Sequence, residues 1–516
     1  MTIRRPNVTG SLRPAGTTVG IASEAVLVVG QKNGGTAASG ALVENILNDN
    51  GWDTLFGKNS PISAAIRRFR RRNGETRLDA IALDDNGNNK ATGGFNITGS
   101  ATEAGTLTFY AGSKKFNKYI VPVASGATAD TIGAALEALI ADDSKALVDG
   151  ANTSGNVELT AINAGLVGNG IGLRVDGAVG GVSIQINQMS GGAADPVLTG
   201  IFDAIGEKRY QTIIWQFDDL TEVKDLLDSR FNVNNNILDG RAFYGKTDTL
   251  ANHLTDLGLL NSNSISYMTD NLVNKDSHKG PSILDLPFVK AAEFAAIRAL
   301  RRTDGAVLGS NVTARSAGDA YGGINLNSKP YFNTELPDLL PIDAADTLTE
   351  TEMKQIVDAG GWVAGNNTAG NAIITGEVTT TYKTDAAGNE DITWSYLNYV
   401  DTATACREYI VNNTRAKYVQ YRATGGALTP GAGDSANEAS VAAFVIEKIS
   451  ELGDLNLLNK GVGTIDGEPV DYDKEHRENL TVTLNPATGA FAVSAKLHNV
   501  VQVRGILYDF ASAFEI

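Results

Sequence analysis

The stretch from Leu480 to Ile516 constrains the fold most, because apolar residues alternate with other residues there until the chain ends. Its first two runs flank a turn at residues 485–489, Asn-Pro-Ala-Thr-Gly, which predicts a β-hairpin with one buried apolar face. The apolar residues of the predicted hairpin are Leu480, Val482, Leu484, Phe491, Val493 and Leu497. A third alternating run follows, and no later strand remains to pair with it. Its large apolar residues are Ile506, Tyr508, Phe510 and Phe514.

A terminal strand with an apolar face needs a partner, because its unpaired N–H and C=O groups otherwise form a template for association. Two alternatives follow: the strand closes a sheet of its own chain, or it joins a sheet of another chain. The N-terminal residues 1–23 are interrupted by Pro6, Pro14 and several glycines, which predicts an extended arm. Apolar residues of this arm include Ile3, Val8 and Leu12. Both ends of the chain are therefore predicted to be extended.

Composition and charge limit the classes of protein that this chain can belong to. The chain has 516 residues, enough for three or four domains, and its 56 glycines exceed the usual share of about 7%. A net charge of −16 argues against broad binding to nucleic acid or to an anionic membrane. The single cysteine, Cys406, rules out an intramolecular disulfide, and the first residues show no apolar signal segment. We therefore expect a soluble protein that folds in a reducing cytoplasm.

Patterns along the chain indicate a multidomain α/β and α+β protein. Residues 91–198 are rich in Gly, Ala, Thr and Ser and indicate short strands around one helix, an inserted β-rich domain. Residues 199–344 alternate strands with helices, which is typical of an α/β domain built on a parallel sheet. The flanking segments, 24–90 and 345–504, mix helices and strands.

The densest basic cluster lies on a helix predicted from Pro61 to about Arg72. Its arginines are Arg67, Arg68, Arg70, Arg71 and Arg72. A nucleic-acid site would need a second basic stripe or an aromatic platform, and the helix offers only Phe69. The pattern therefore favours a helix that faces solvent or acidic side chains.

Motifs of the common hydrolases, metalloproteases and redox proteins do not occur in the sequence, and its four histidines are far apart. One group of residues remains as a candidate for chemistry at the carboxyl edge of the predicted parallel sheet. It consists of Asp218, Asp219, Lys246 and Asp270. These residues could hold Mg²⁺ and a phosphoryl group in a Mg²⁺-dependent phosphoryl-transfer enzyme. Alternatively, the aspartates simply start the next helices or turns. We favour a structural or assembly role, with no enzymatic activity and no cofactor.

Five segments carry a resemblance to a known family. They are residues 25–31 (AVLVVGQ), 55–61 (LFGKNSP), 348–361 with its continuation through 373–381, 490–497 and 506–516. In this order and spacing they resemble the contractile tail sheath proteins of myovirus-type bacteriophages, in particular the Mu-like group.

The resemblance implies an architecture with a discontinuous α+β core of residues 24–90 and 345–504. Two domains, 91–198 and 199–344, are inserted between the halves of this core. Residues 1–23 form an N-terminal arm and residues 505–516 a C-terminal arm, and the resemblance implies that these arms add strands to the sheets of neighbouring subunits.

The resemblance also implies a function. It implies a structural subunit of the virion, assembled in the host bacterial cytoplasm, that polymerises with itself as stacked hexameric rings around a tail tube. Contraction of this sheath would drive the tube through the bacterial envelope and deliver the genome. Further implied partners are the tail tube, baseplate and tail terminator proteins, without direct contact to nucleic acid or membrane.

The resemblance assigns roles to residues as well. The apolar residues of both arms are implied to contact neighbouring subunits, and the hairpin is implied to accept an arm. A basic helix of the core is implied to face the tube. In this chain the corresponding residues are Arg407, Arg415, Lys417 and Arg422.

Overall fold

The structure is a computed structural model that describes most of the chain between residues 24 and 498. The described residues are 24–113, 115–230, 240–271, 278–282, 284–306, 331–339, 342–343, 347–392, 394–428, 434–454, 457–465 and 468–498. The predicted arms, residues 1–23 and 505–516, lie outside the described residues, as do the arm residues named above. None of the described helices is both long and apolar enough to cross a lipid bilayer.

The described residues divide into two compact units. The larger, which we call the sheet unit, contains residues 24–303 and 331–404. The smaller, which we call the hairpin unit, contains residues 304–306 and 405–498. Both units combine helices with strands, so the chain has the mixed α/β character that the sequence predicted.

The sheet unit begins with a strand whose residues are all buried. Its first elements are β1 (Ala25–Gln31), β2 (Leu42–Val43), α1 (Trp52–Phe56), α2 (Pro61–Arg72) and β3 (Arg77–Leu83). The Ser60 side chain accepts a hydrogen bond from the Ser63 N–H, and Pro61 occupies the first helical position of α2. Both residues are favourable there, because Ser60 satisfies an otherwise unpaired donor and Pro61 lacks one. This confirms the predicted start of the helix.

The next part of the chain forms two antiparallel sheets and one helix. Its elements are β4 (Lys90–Gly99), β5 (Gly105–Ala111), β6 (Lys118–Val123), α3 (Ala129–Asp142), β7 (Val148–Thr153), β8 (Asn156–Ala164), β9 (Leu173–Asp176) and β10 (Val182–Ser190). The strand orders are β10-β4-β8-β7 and β6-β5-β9. Helix α3 buries Ile132, Leu136 and Ile140. These elements are the short strands around one helix that the composition predicted.

Strands and helices alternate in the remainder of the sheet unit. The elements are β11 (Thr212–Trp215), α4 (Thr221–Arg230), β12 (Arg241–Asp248), α5 (Leu250–Gly258), β13 (Ile265–Asn271), α6 (Pro287–Ala306), α7 (Glu350–Asp358), β14 (Gly361–Asn366), β15 (Ala372–Thr375) and α8 (Leu397–Tyr418). Residues 304–306 of α6 and 405–418 of α8 belong to the hairpin unit. Helix α7 starts with a capping box, in which Thr349 and Glu352 each bind the main-chain N–H of the other. The spacing of Thr349 and Glu352, three positions apart, is the spacing that a capping box requires.

One eight-stranded sheet, of order β15-β14-β13-β12-β11-β1-β3-β2, organises the sheet unit. Its neighbouring strands are parallel except at the two edges, where β15 is antiparallel to β14 and β2 to β3. The sheet takes strands from residues 24–90, 199–344 and 345–504. The boundaries drawn from the sequence at residues 199 and 344 therefore fall within one sheet. The division into separately folding domains stays a prediction.

Helices cover both faces of this sheet, which explains the uninterrupted apolar run of β1. Successive strand residues point to opposite faces. Val26 and Val28 belong to a core shared with α2 and α6, whereas Leu27 and Val29 belong to a core shared with α4, α5 and α7. A parallel strand buried on both faces has no polar side to alternate with.

The hairpin unit contains only small sheets among its described residues. Its elements beyond α8 are β16 (Arg422–Ala423), β17 (Ser435–Ala436), α9 (Glu438–Asp454), β18 (Val462–Ile465), β19 (Glu468–Asp471), α10 (Tyr472–Glu478), β20 (Thr481–Asn485) and β21 (Ala490–Ser494). These strands form three two-stranded sheets, β16-β17, β18-β19 and β20-β21. Cys406 on α8 is fully buried, and burial raises the pKa of its thiol to about 12.

Candidate assembly surfaces

The predicted hairpin is present as the antiparallel pair β20 and β21. Leu484 lies opposite Phe491, and Val482 lies opposite Val493. Main-chain hydrogen bonds from Thr488 and Gly489 to the Asn485 carbonyl close the turn. This confirms the hairpin that the alternating pattern predicted.

The apolar face of the hairpin is not buried as the sequence analysis predicted. Its residues Leu480, Val482, Leu484, Phe491 and Leu497 are half-buried. The side chain of Val493 is 41% exposed. Alternation is retained, because Thr481, Thr483 and Asn485 on the other face are exposed. The face is incompletely covered because a two-stranded sheet brings few neighbours of its own, and no third strand joins it within the described residues.

The two edges of the hairpin differ. The Leu484 N–H donates to Glu438 Oε1 of α9 at 2.7 Å, so it points away from β21. Antiparallel pairs alternate between mutually hydrogen-bonded and non-bonded positions. The opposite residue Phe491, and Val493 two positions later, therefore direct their N–H groups to the outer edge of β21. Helix α9 occupies the outer edge of β20 at Leu484, which leaves the β21 edge for a further strand.

The predicted tube-facing residues lie on α8 and just after it. Arg415, Lys417 and Arg422 are exposed, and Arg407 is half-buried. The Lys417 ammonium lies 3.9 Å from the centroid of the Phe444 ring, so this residue also stabilises the packing of its own unit. In the part of the chain that the structure describes, Arg415 and Arg422 form no ion pair. Their guanidinium groups remain available to an acidic partner.

The arginine cluster on α2 faces acidic side chains within the sheet unit. Arg68 is buried and forms ion pairs with Asp285 at 2.5 Å and Glu293 at 2.7 Å. Arg71 and Arg72 pair with Asp338. Burial lowers the pKa of Arg68, but the two carboxylates raise it further, to a net value above its ordinary range. This confirms the acid-facing interpretation, and the cluster does not present a phosphate-binding surface.

Asp218, Asp219 and Lys246 of the alternative magnesium site contact neighbouring side chains or the main chain. Lys246 pairs with Asp256 at 2.6 Å and lies 3.9 Å from Asp218, which accepts a hydrogen bond from the Tyr244 hydroxyl. Asp219 accepts the Thr221 N–H at the start of α4, the helix-starting role that was the other interpretation. The side chain of Asp270 lies outside the described residues.

Where side chains are described, no group of three or more His, Cys, Asp or Glu residues is placed to hold a metal ion. A cavity of about 270 Å³ does open beside Asp218 and Lys246, and Asp195 and Asp248 also line it. Lys246 is the one cation of this lining, and it is already neutralised by carboxylates. The phosphoryl-transfer alternative therefore gains no support from the geometry.

The sequence analysis missed a buried network around Arg298 of α6. This side chain donates to both carboxylate oxygens of Asp401, at 2.9 and 2.5 Å, and to the Thr212 hydroxyl at 2.6 Å. The Tyr331 hydroxyl also donates to Asp401, at 3.1 Å. No local pattern predicts such a pairing, because Arg298 and Asp401 are 103 positions apart.

The sequence analysis also missed a histidine pair. It placed all four histidines far apart, yet the rings of His476 and His498 lie 5.7 Å apart between centroids. The main-chain N–H of His498 donates to His476 Nε2 at 3.2 Å.

The comparison with known proteins places this geometry in context. No protein-family model matches the chain. The chain is 26% identical over 379 residues to the Mu-like prophage FluMu tail sheath protein of Haemophilus influenzae, a match that covers 72% of this chain and 70% of that protein. The chain is therefore a homologue of a Mu-like tail sheath protein, which confirms the resemblance found in the sequence.

Two solved structures are also similar. The crystal structure of a sheath tail protein from Desulfitobacterium hafniense has a TM-score of 0.45 and 10% identity, covering 96% of this chain and 97% of that chain. The helical sheath of the anti-feeding prophage in its contracted state has a TM-score of 0.45 and 11% identity, covering 99% and 100%. Both TM-scores are below 0.5.

Proposed function

We propose that this chain is the structural subunit of a contractile phage tail sheath, a component of the virion that is assembled in the host cytoplasm. It polymerises with itself as stacked hexameric rings around a tail tube. Homology to a tail sheath protein supports the class of function. The open edge of β21, beside a half-exposed apolar face, is the observation that carries the mode of assembly.

The hairpin provides what strand addition requires. A strand laid along β21 gains main-chain hydrogen bonds from the outward positions Phe491 and Val493, and it covers the apolar face at the same time. The arm residues Ile506, Tyr508, Phe510 and Phe514 alternate in the same way, so one face of an added arm is apolar. The donor and acceptor surfaces differ, so each subunit passes its arm to the next, and such head-to-tail contacts generate rings or open helical arrays.

The proposed partners beyond the sheath subunit are the tail tube protein, the baseplate and the tail terminator. The exposed Arg415 and Arg422, with Lys417, form the proposed contact with an acidic tube surface. Their charge stands out because the chain as a whole carries −16. The net charge supports the absence of direct contact with nucleic acid or an anionic membrane.

The proposed work of the protein is mechanical. An extended polymer held in a metastable packing relaxes to a shorter, wider one after a trigger at one end, and it drives the tube through the bacterial envelope. Rigid-body rearrangement of subunits with repacked interfaces performs this step, while exchanged strands keep neighbours connected. The proposed subunit needs no catalytic group and no nucleotide.

The test compares two substitutions on adjacent residues of β21. Val493→Asp places a carboxylate on the apolar face at the open edge, whereas Ala492→Asp places the same group on the opposite, exposed face. Both positions are exposed in the single chain, so both variants should fold with unchanged circular dichroism. We expect Val493→Asp to abolish the hollow cylinders seen by negative-stain microscopy and Ala492→Asp to retain them.

Cylinders formed equally well by both variants would contradict strand addition at β21. Compact particles from the unmodified chain, under conditions where a tube or baseplate template is supplied, would contradict the sheath function itself.

A further inference from the structure

Main-chain hydrogen bonds fix His498, the last described residue, on both sides. Its N–H donates to His476 Nε2 at 3.2 Å, and its carbonyl accepts the Asn459 N–H at 2.8 Å. His476 is 3% exposed, so the acceptor nitrogen is shielded from water. The predicted C-terminal arm, residues 505–516, begins seven positions later in the sequence. The hydrogen bond to His476 therefore lies at the base of the arm.

Helix α10 builds the receiving side of this contact. Tyr472, Glu475 and His476 are three and four positions apart, so they share one face of the helix. The Tyr472 ring packs against the His498 ring with 5.4 Å between centroids. Asp471 caps the helix by accepting the Lys474 N–H, which fixes the first turn and with it Tyr472.

The hydrogen bond requires one protonation state of His476. A ring nitrogen that accepts a main-chain N–H must be unprotonated, so the neutral ring carries its proton on Nδ1. A proton on Nε2 would set two donors against each other at 3.2 Å. Protonation of His476 is therefore incompatible with this contact.

Some groups around His476 and His498 lower the pKa values of the two rings, and others raise them. Burial, followed by His498, lowers the pKa of His476, and burial, followed by Lys496, lowers the pKa of His498. Asp473 and Glu475 of α10 raise the pKa of His476, and Glu475 raises that of His498, without reversing either shift. Glu475 Oε2 lies 4.0 Å from His498 Nε2.

Lys460, which follows Asn459 in the sequence, has its charge balanced by the end of α9. Lys460 and Asp454 form an ion pair at 2.5 Å, and Asp473 acts on Lys460 as well.

We propose that His476 and His498 form an acid-sensitive latch at the base of the C-terminal arm. Neutral His476 holds the main chain at residue 498, and protonation of its Nε2 releases it. The inference goes beyond the proposed function, because it concerns the isolated chain and holds whether or not the arm is exchanged between subunits.

The pH window follows from the direction of the shift. The folded-state pKa of His476 is lower than its ordinary value of 6.5, so folding favours the neutral ring. The stabilisation by the latch is complete above pH 6.5, and it is lost as the pH falls through the folded-state pKa. The population of the released state therefore rises by up to about tenfold for each pH unit between pH 6.5 and the folded-state pKa.

Hydrogen exchange of the full chain, followed by mass spectrometry at about pH 7.5 and about pH 5, measures the release. Protection factors, corrected for the intrinsic pH dependence of exchange, are compared for the amide of His498. We expect this protection to fall by up to about tenfold for each pH unit as the pH drops from 6.5 towards the folded-state pKa of His476. The variant His476→Gln keeps an acceptor oxygen that does not titrate, and it should retain protection at both pH values.

The control is His253→Gln, which removes a buried histidine of the sheet unit and should leave the acid release at His498 unchanged. Equal protection of the unmodified chain at both pH values overturns the proposal. So does a fall in protection that persists in His476→Gln.

A second variant keeps the proposal falsifiable if glutamine fails to hold the contact at neutral pH. His498→Gln preserves the main-chain N–H but removes the ring that lowers the pKa of His476. The midpoint of release at residue 498 should therefore move to higher pH. A midpoint that stays in place or moves to lower pH overturns the latch.

Discussion

The sheet unit and the hairpin unit differ in how many strands each sheet contains and in how completely the apolar faces of those sheets are covered. In the sheet unit, eight strands share one sheet, helices cover both faces, and the paired charges around Arg298 and Arg68 are buried. In the hairpin unit, every described sheet has two strands, and the apolar side chains of β20 and β21 are only half covered. The sheet unit completes its own core. Within the described residues, the hairpin unit leaves an edge and a face available, which is what the proposed strand addition requires.

Unfolding of the sheet unit can be followed separately from that of the whole chain, because the tryptophan fluorescence comes from the sheet unit alone. The four tryptophans of the chain are Trp52, Trp215, Trp362 and Trp394. All four belong to the sheet unit. Tryptophan emission therefore reports unfolding of that unit, while circular dichroism and sedimentation report on the whole chain.

The largest expected effect is on assembly. Truncation after Arg504 removes the predicted arm strand, whose four large apolar residues are together worth roughly 6–12 kcal/mol if buried on a neighbour. Association costs an estimated ~4–15 kcal/mol, so assembly through one arm is marginal and its loss should abolish polymerisation. The truncated chain should sediment as a folded monomer with an unchanged melting temperature. A markedly lowered melting temperature would show instead that the strand closes a sheet of its own chain.

The next effect is on the stability of the sheet unit. Arg298→Met removes the guanidinium that forms a buried ion pair with Asp401, which should cost about 3–5 kcal/mol. Urea unfolding followed by tryptophan emission should show a much lower midpoint for this variant. The control Arg415→Met alters an exposed arginine of the hairpin unit and should change the same transition by less than about 0.5 kcal/mol. Equal midpoints for the two variants would contradict the assigned role of Arg298.

A third effect depends on pH. His253 is buried in the sheet unit, and burial lowers its pKa from 6.5 to about 4. Folding therefore favours the neutral ring, and the stabilisation present above pH 6.5 is lost as the pH falls towards 4, by about 3 kcal/mol in total. His253→Gln should flatten this part of the tryptophan-detected stability profile. His278 is exposed, so His278→Gln is the control and should keep the pH dependence of the unmodified chain. If the stability profile of His278→Gln were as flat as that of His253→Gln, the acid-dependent loss of stability could not be assigned to His253.

The smallest expected effect per contact is on the proposed ion pairs with the tail tube. Surface ion pairs are worth only ~0–1 kcal/mol each and weaken with salt, so the contact depends on repetition along the polymer. Arg415→Glu with Arg422→Glu should weaken co-sedimentation with tail tubes and leave sheath-only polymers intact. Lys417 is left unchanged because it packs on Phe444. Reversal of the exposed Lys118 and Lys474 is the matched control, and equal co-sedimentation of both double variants would exclude these residues as the tube contact.

Local features of the fold could be predicted from the sequence because their causes are local. The Ser60 cap with Pro61, the capping box of Thr349 and Glu352, and the hairpin turn each depend on residues within a few positions. The parallel strands β11 to β13 followed from the alternation of strand and helix signals. These predictions needed no knowledge of tertiary packing.

Features that depend on distant pairs could not be predicted in this way. Arg298 with Asp401, and Arg68 with Glu293, meet only when the sheet brings their helices together. The extent to which the hairpin face is covered depends on which elements pack against it, and an alternating pattern carries no information on this. The same holds for His476 and His498, where a ring nitrogen accepts a main-chain N–H, a contact that has no sequence signature.

The buried thiol of Cys406 makes the chain suitable for site-specific chemistry. With a pKa of about 12, only about one molecule in ten thousand carries the reactive thiolate at pH 8. Because Cys406 is the single cysteine of the chain, maleimides and oxidants encounter almost no native sulfhydryl background. A cysteine introduced at Val493 would therefore be the dominant site of labelling, and a second one on the arm would allow a disulfide to record which two subunits had joined.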